Sequence, residues 1–332
     1  MSKMSIEGPM AGCPERYTFN GPTMGTRYSV QCYAPAGLDR ALIASELDAA
    51  VRAVDEEMSN WKNSSDLTRL NRAEPDVWVP ISRNLATVLV RATEMGRETD
   101  NAFNAGVGDV VDQWGFGPSN APRPTMREAS RERPRRPLVE LLDVDVEQCR
   151  ARKQAHVTLD LCGIAKGFGV DELARVLDSH DVRSWLVGID GEMRARGTKP
   201  GQALWAIAIE RPDYERREAL GVIELTDIAV ATSGDYRHWS ECEGKRISHV
   251  VDPRTGEPLC NGVASVTVLA RSCMDADAYA TALMVLGPQK GLDFARRKQL
   301  DALFLLRDGA QMLAIGTGLF DAGFNGIEVP GG

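Results

Sequence analysis

Leu42, Ile43, Leu47, Ala50, Val51, Val54 and Met58 recur at three- and four-residue spacings, which predicts a long amphipathic helix stopping at Ser59-Asn60-Trp61. Ser64-Ser65-Asp66 offers caps for a short helix through Leu70, and Leu85, Val88, Leu89 and Ala92 share one face of a second long helix over 85–97. Elsewhere the period is two. Positions 16–34 read as strand about the phrase Thr23-Met24-Gly25-Thr26, where the glycine relaxes the backbone. Over 155–161, His156, Thr158 and Asp160 alternate with Val157, Leu159 and Leu161, the pattern of a half-buried strand. A helix follows over 168–180, with Val170, Leu173, Ala174 and Leu177 on one face and Asp171 and Glu172 in its first turn. From there strands dominate, at 185–189, 192–196, 203–210, 221–225, 228–231, 247–251 and 264–269. A helix over 275–286 and a hairpin of 302–306 with 311–315 about Asp308-Gly309 complete the order.

Helices and strands mix without strict βαβ alternation, which predicts an α+β fold rather than a doubly wound sheet. The 332 residues, 43% hydrophobic and 26% charged, suffice for one large core or two closely packed lobes. We divide the chain into a flexible N-terminus, 1–15, and a folded body, 16–330. A net charge of −8 argues against a nucleic-acid partner, and the basic segment 123–136, mixed with prolines and acids, reads as solvated surface. Seven cysteines without a CxxC pair or a zinc-spaced Cys/His set point to reduced thiols. The N-terminal stretch lacks the apolar run of a signal peptide, and no segment reaches the roughly 18 apolar residues of a membrane span. Together these predict a cytoplasmic protein with no membrane span.

The richest chemistry lies where the 155–161 segment meets the following helix, in Asp160-Leu161-Cys162-Gly163-Ile164-Ala165-Lys166-Gly167. A helix N-terminus offers unpaired N–H groups, the glycines permit close approach, and Lys166 adds charge, so an anion such as a phosphate fits there. The same residues also describe a plain connection. Asp277 and Thr281, four apart, put two oxygens on one helix face, which suits a hard cation, or simply caps and back-bonds a helix. His249 ends a strand before the Asp252-Pro253-Arg254-Thr255-Gly256 turn and is the best candidate base among four histidines. Hydroxyls in 231–236 sit at a strand end, whereas Asp190-Gly191 reads as a hairpin turn needing no function. GxGxxG after a strand, the Walker loop, GxSxG and HExxH are all absent from the sequence.

Nine phrases in register give these pieces a common setting: TMGT at 23–26, SDLTRLNR at 65–72, WGFGP at 114–118, LDLCGIAKGFGVDE at 159–172, GIDGEMRARG at 188–197, ATSGDY at 231–236, HVVDPRTGEPL at 249–259, SVTVLA at 265–270 and DADAYATALMVLG at 275–287. In these the chain resembles the ApbE family of FAD:protein FMN transferases. The resemblance implies an α+β body of two packed lobes with FAD in the cleft between them and Mg2+ on the pyrophosphate. It also implies transfer of FMN from FAD to a Ser or Thr hydroxyl of an acceptor flavoprotein, with release of AMP. Position by position, it assigns Met24 and Trp61 to the flavin pocket and Ala102, Phe103 and Asn104 to the adenosine side. By the same resemblance, Asp160 and Lys166 are expected to hold FAD, the Gly163 carbonyl with Asp277 and Thr281 to bind the metal, and His249 to be the base. Where the family usually carries Phe-Asp-(Pro/Val)-Thr-Val-Gly-Pro, this chain reads Phe103-Asn104-Ala105-Gly106-Val107-Gly108-Asp109, and Cys162 replaces a small residue. The alternatives for such a site are a Mg2+-dependent FAD pyrophosphatase, with water as acceptor, and a non-catalytic flavin-binding protein.

Overall fold

Nine strands stand side by side in chain order and every neighbouring pair is antiparallel, so the frame of the molecule is one long meander. The computed structural model describes residues 14–118, 136–237, 239–242, 245–309, 311–321 and 327–330. The N-terminal stretch and the basic segment read from the sequence lie almost wholly outside them. The strands are β1 (Glu15–Thr23), β2 (Thr26–Ala34), β3 (Ser184–Ile189), β4 (Glu192–Arg196), β5 (Ala229–Gly234), β6 (Val263–Ala270), β7 (Asp301–Asp308), β8 (Gln311–Thr317) and β9 (Ile327–Pro330). Among the described residues, five helices lie in the connection from β2 to β3: α1 (Arg40–Met58), α2 (Asp66–Arg72), α3 (Arg83–Glu98), α4 (Gly108–Gln113) and α5 (Ala165–Ser179). A sixth, α6 (Cys273–Lys298), joins β6 to β7. The fold is α+β, as the element order predicts.

Alternation along the strands divides the sheet into two buried faces. On β7, Ala302 and Phe304 point to the helices while Leu303 and Leu305 point away, and on β3 Val187 and Ile189 face α1 and α5. Ile43, Leu47 and Val51 of α1 and Leu173 and Leu177 of α5 meet them, each such side chain worth about 1.5–3 kcal/mol once fully buried. The opposite face is covered by the hairpin of Trp205–Glu210 with Ala219–Leu225, whose Trp205, Ile207 and Ile209 pack on Val230, Leu269 and Leu303. On β4 the face given to the helices carries charge instead, Glu192 and Arg194, and that exception locates the site.

Three expectations change in detail. Segment 155–161 joins no ladder, because its hydrogen bonds go elsewhere: the Asn71 side chain brackets Leu159 through both its N–H and its C=O, Asp160 N–H donates to Ala105 O, and Thr158 O accepts from Gly108 N–H. A period-two pattern reports which side is buried, not who supplies the partners. Helix α6 runs on to Lys298, with an interruption at Gly287, φ 77°, ahead of Pro288. The sequence reading ended the helix at that break. Finally, 247–251 splits into the ends of two short hairpins, Trp239–Cys242 with Lys245–Ser248 and Val251–Asp252 with Glu257–Pro258. Ser248 Oγ accepts from Val250 N–H at 3.1 Å and turns the chain at His249.

Candidate active site

Two glycines let the start of α5 lie against α6. A Cβ on Gly167 would stand 2.3 Å from the Cys273 carbonyl oxygen and 2.8 Å from Asp277 Cβ, distances no side chain tolerates. A Cβ on Gly163 would fall 2.8 Å from Thr281 Oγ1. The four-residue step on α6 therefore meets the four-residue step from Gly163 to Gly167, each glycine opposite one oxygen-bearing side chain. The contact is locked from its other end by Asp171, whose carboxylate accepts from the N–H groups of Cys273 and Met274 at 3.0 Å each and so caps α6 from α5. Ser272 adds its own cap to Asp275 N–H.

Charge is concentrated there. Asp277 is 3% exposed and accepts from Gly167 N–H at 3.0 Å. Burial first, and then the charge of Glu192, push its carboxyl up to about 7 against the pull of Lys166 and that N–H. Lys166 Nζ bonds Glu192 Oε1 at 2.7 Å and lies 3.7 Å from Asp190, with 30% of its side chain still open to solvent. Burial disfavours the Lys166 ammonium, but Glu192, Asp277 and Asp190 outweigh it and raise its pKa. Thr281 Oγ1 meets Ser233 Oγ of β5 at 3.1 Å. Two buried carboxylates thus act on one ammonium, which bonds Glu192 and feels the charge of Asp277, and Glu192 Oε2 is buried with no hydrogen-bond partner.

These residues fit a hard divalent cation. The donor set is oxygen only, the surroundings carry excess negative charge, and the Gly163 approach leaves its main chain beside Thr281. Among the described residues no three His, Cys, Asp or Glu side chains form a metal-holding group, so a closed zinc-like cage is not what this site offers.

Around this centre the sequence candidates fall into two sets. Asp160 joins directly: its carboxylate accepts from Cys162 N–H at 2.8 Å and from Asn60 Nδ2 at 3.0 Å, shaping the loop into α5 and pushing the Cys162 thiol well up. Met24 sits at the β1–β2 turn with φ 46° and packs over Gly169 of α5, where an added Cβ would come 2.9 Å from its Cε. Trp61 projects from the end of α1, 66% exposed. Ala102, Phe103 and Asn104 are buried: Phe103 belongs to the main core, and Asn104 braces its own loop by accepting from Gly106 N–H and donating to Asn101 Oδ1 and Arg136 O. A carboxylate could not make those two donations, which explains how Asn is accommodated here. This loop meets the site through its main chain, by the Ala105 to Asp160 bond.

His249 stands between the two short hairpins, edge-on to Phe116 at 6.2 Å between ring centres. Trp114, fully buried, donates from Nε1 to Gly256 O at 2.9 Å, so the 114–118 phrase is the brace of the His249 turn. Sequence reasoning missed Glu192, Asn60 and Asp171. Only the adjacency of Glu192 to the Asp190-Gly191 turn could have flagged it, and that turn was read as structural.

An oxygen-only donor set beside a lysine, on an antiparallel α+β frame, is chemistry suited to a hard cation and to the anionic ligand such a cation neutralises. The particular family follows from comparison: the chain belongs to the ApbE family, whose model matches residues 24–304. The FAD:protein FMN transferase of Vibrio cholerae is 37% identical over 305 residues, covering 90% of each chain, and that of Salmonella typhimurium is 30% identical over 300 residues, 89% of this chain and 86% of the other. Among solved structures, the flavin transferase ApbE from Vibrio cholerae superposes with a TM-score of 0.81 at 34% identity, covering 92% of this chain and 98% of that one. The apo flavinyl transferase ApbE of Pseudomonas stutzeri gives 0.84 at 32% identity, covering 98% and 100%.

Proposed function

We propose that this protein transfers FMN from FAD to a Ser or Thr hydroxyl of an acceptor flavoprotein, forming a phosphoester and releasing AMP. The observation that carries the reading is the paired approach of Gly163 to Thr281 and Gly167 to Asp277 beneath the N-terminus of α5, with Lys166 beside it. Kinship with the FAD:protein FMN transferase of Vibrio cholerae, over 90% of this chain, supports it.

FAD lies in the cleft at this centre, its flavin toward Met24 and Trp61, its adenosine toward 102–104 and its pyrophosphate over the α5 N-terminus. Phosphoryl transfer asks for alignment and charge neutralisation more than for covalent help. Lys166 and the helix end neutralise the pyrophosphate oxygens, and Asp160 fixes the loop that carries them. Gly163 through its carbonyl, Asp277 and Thr281 would hold Mg2+, which supplies further neutralisation of the pyrophosphate when bound. The acceptor oxygen attacks the flavin-side phosphorus and a new P–O bond forms. The bond to the bridging oxygen breaks, AMP keeps that oxygen, and His249 takes the acceptor proton on its way to solvent.

The test is incubation with FAD, Mg2+ and a candidate acceptor domain. The expected result is a gain by the acceptor of one FMN in intact mass, matched by one AMP. AMP and free FMN without acceptor would identify a pyrophosphatase instead, and bound flavin with neither product would identify a carrier.

A further inference from the structure

Glu192 opens β4 just after the Asp190-Gly191 turn and is 2% exposed. One oxygen holds Lys166 at 2.7 Å; the other, Oε2, is buried and unpartnered. A buried carboxylate with an idle oxygen is costly, and a purely structural pair would gain by closing it. The arrangement makes sense from the side of the lysine. Lys166 precedes Gly167, whose N–H sits on Asp277, so the side chain that holds Glu192 starts one residue from the second buried carboxylate, whose charge its ammonium feels. Asp190, at 3.7 Å and a third exposed, is the weaker third choice.

We propose that Glu192 is a positioning residue that holds the Lys166 ammonium away from Asp277 and so keeps the Asp277 carboxylate open to a divalent cation. The inference rests on reading Gly163, Asp277 and Thr281 as the cation site. Without Glu192, the ammonium turns to the remaining buried carboxylate, where its hydrogen bonds occupy the oxygens a cation needs and its charge repels one. Glu192 thereby separates two positive charges that the site must hold at once, the lysine for the phosphate and the cation beside it.

The test is Mg2+ titration of the FAD-free protein by calorimetry, with the crystal structure of the variant as second readout. Glu192→Gln is expected to weaken Mg2+ binding at least about tenfold, the usual scale for a residue supporting a metal ligand, and to show Lys166 Nζ hydrogen-bonded to Asp277. Adding Lys166→Met is expected to restore affinity to within about threefold of wild type, since the competitor is gone. Unchanged affinity in Glu192→Gln, or a Lys166 still turned away from Asp277, overturns the proposal. So does a double variant as weak as the single one. Should Glu192→Gln fail to fold, the double variant, which removes both partners of the pair, still decides by its affinity. A wild-type protein that takes up no Mg2+ overturns the cation site itself, and this inference with it.

Discussion

The two ends of the site are built differently. At the α5–α6 contact, helices of 15 and 26 residues touch through glycines, three acceptors cap or cross-link them, and Asp277 is held at a fixed depth. At the His249 rim the ladders are two and four residues long, Trp239 is 40% exposed, and one small apolar cluster about Trp114 and Val251 supports the turn. In the proposed reaction the α5–α6 end would take a group of constant shape, the pyrophosphate, and it is over-determined. The His249 end would take a protein acceptor and rests on short, separately braced pieces, which can adjust without disturbing the charged centre.

That contrast is easiest to break at Asp277. Asp277→Asn keeps an acceptor for Gly167 N–H but removes the ligand charge, so FMN transfer is expected to fall by about three orders of magnitude or more, while the metal-free protein melts no lower than wild type because a buried charge has gone. A transfer rate near wild type would remove Asp277 from the site. His249→Ala probes the other end. The rate should drop about 10²–10⁴-fold, the contribution of a positioned base, with FAD affinity retained. Joint loss of FAD binding and melting temperature, with a normal rate per bound FAD, would make His249 part of the brace instead.

This difference in construction also decided how much the sequence disclosed. Helices α1, α3 and α5 were legible because each buries one apolar face, α1 and α5 beneath the long sheet and α3 against α1, α6 and the 138–145 segment, and periodicity records that directly. Asp277 and Thr281 were legible as a pair because four-residue spacing on a helix is itself geometry. The depth of Asp277 was not: it depends on Gly167 allowing α5 to within contact, a relation across 110 residues. Glu192 was invisible for the same reason, since a charged residue after a hairpin turn looks solvent-facing until a helix covers that face of the sheet. Segment 155–161 was misread because Asn71 and the 105–108 loop, not a strand, supply its partners.

Glycine at the helix contact can be tested by stability. Gly167→Ala sets a methyl against the Cys273 carbonyl, which is backbone and cannot step aside, so a loss of about 3 kcal/mol is expected in urea unfolding. Gly191→Ala, where an added Cβ meets nothing within 4 Å, is the control and should change little.

The smallest expected effect concerns the strut that ties α3 to α6. Arg91 bonds both Glu98, at 2.7 Å, and Asp275, at 2.6 Å, while Tyr279 and Lys298 of α6 donate to the second oxygen of Glu98 at 2.7 and 3.0 Å. Burial alone would raise the Glu98 carboxyl, but bonds from Arg91, Tyr279 and Lys298 overcome it and lower its pKa to about 2. A lowered carboxylate favours the folded state above its unfolded pKa and loses that contribution as pH falls toward the folded one. The window is therefore from about 4.5 down to about 2. Allowing for partial exposure, the contribution at pH 7 is about 2 kcal/mol. Glu98→Gln should be less stable than wild type by that amount in urea at pH 7, and by half of it or less at pH 3. An equal gap at both pH values would show that Glu98 serves α6 by packing rather than by charge, and the rigidity of the α5–α6 end would then owe nothing to this ion pair.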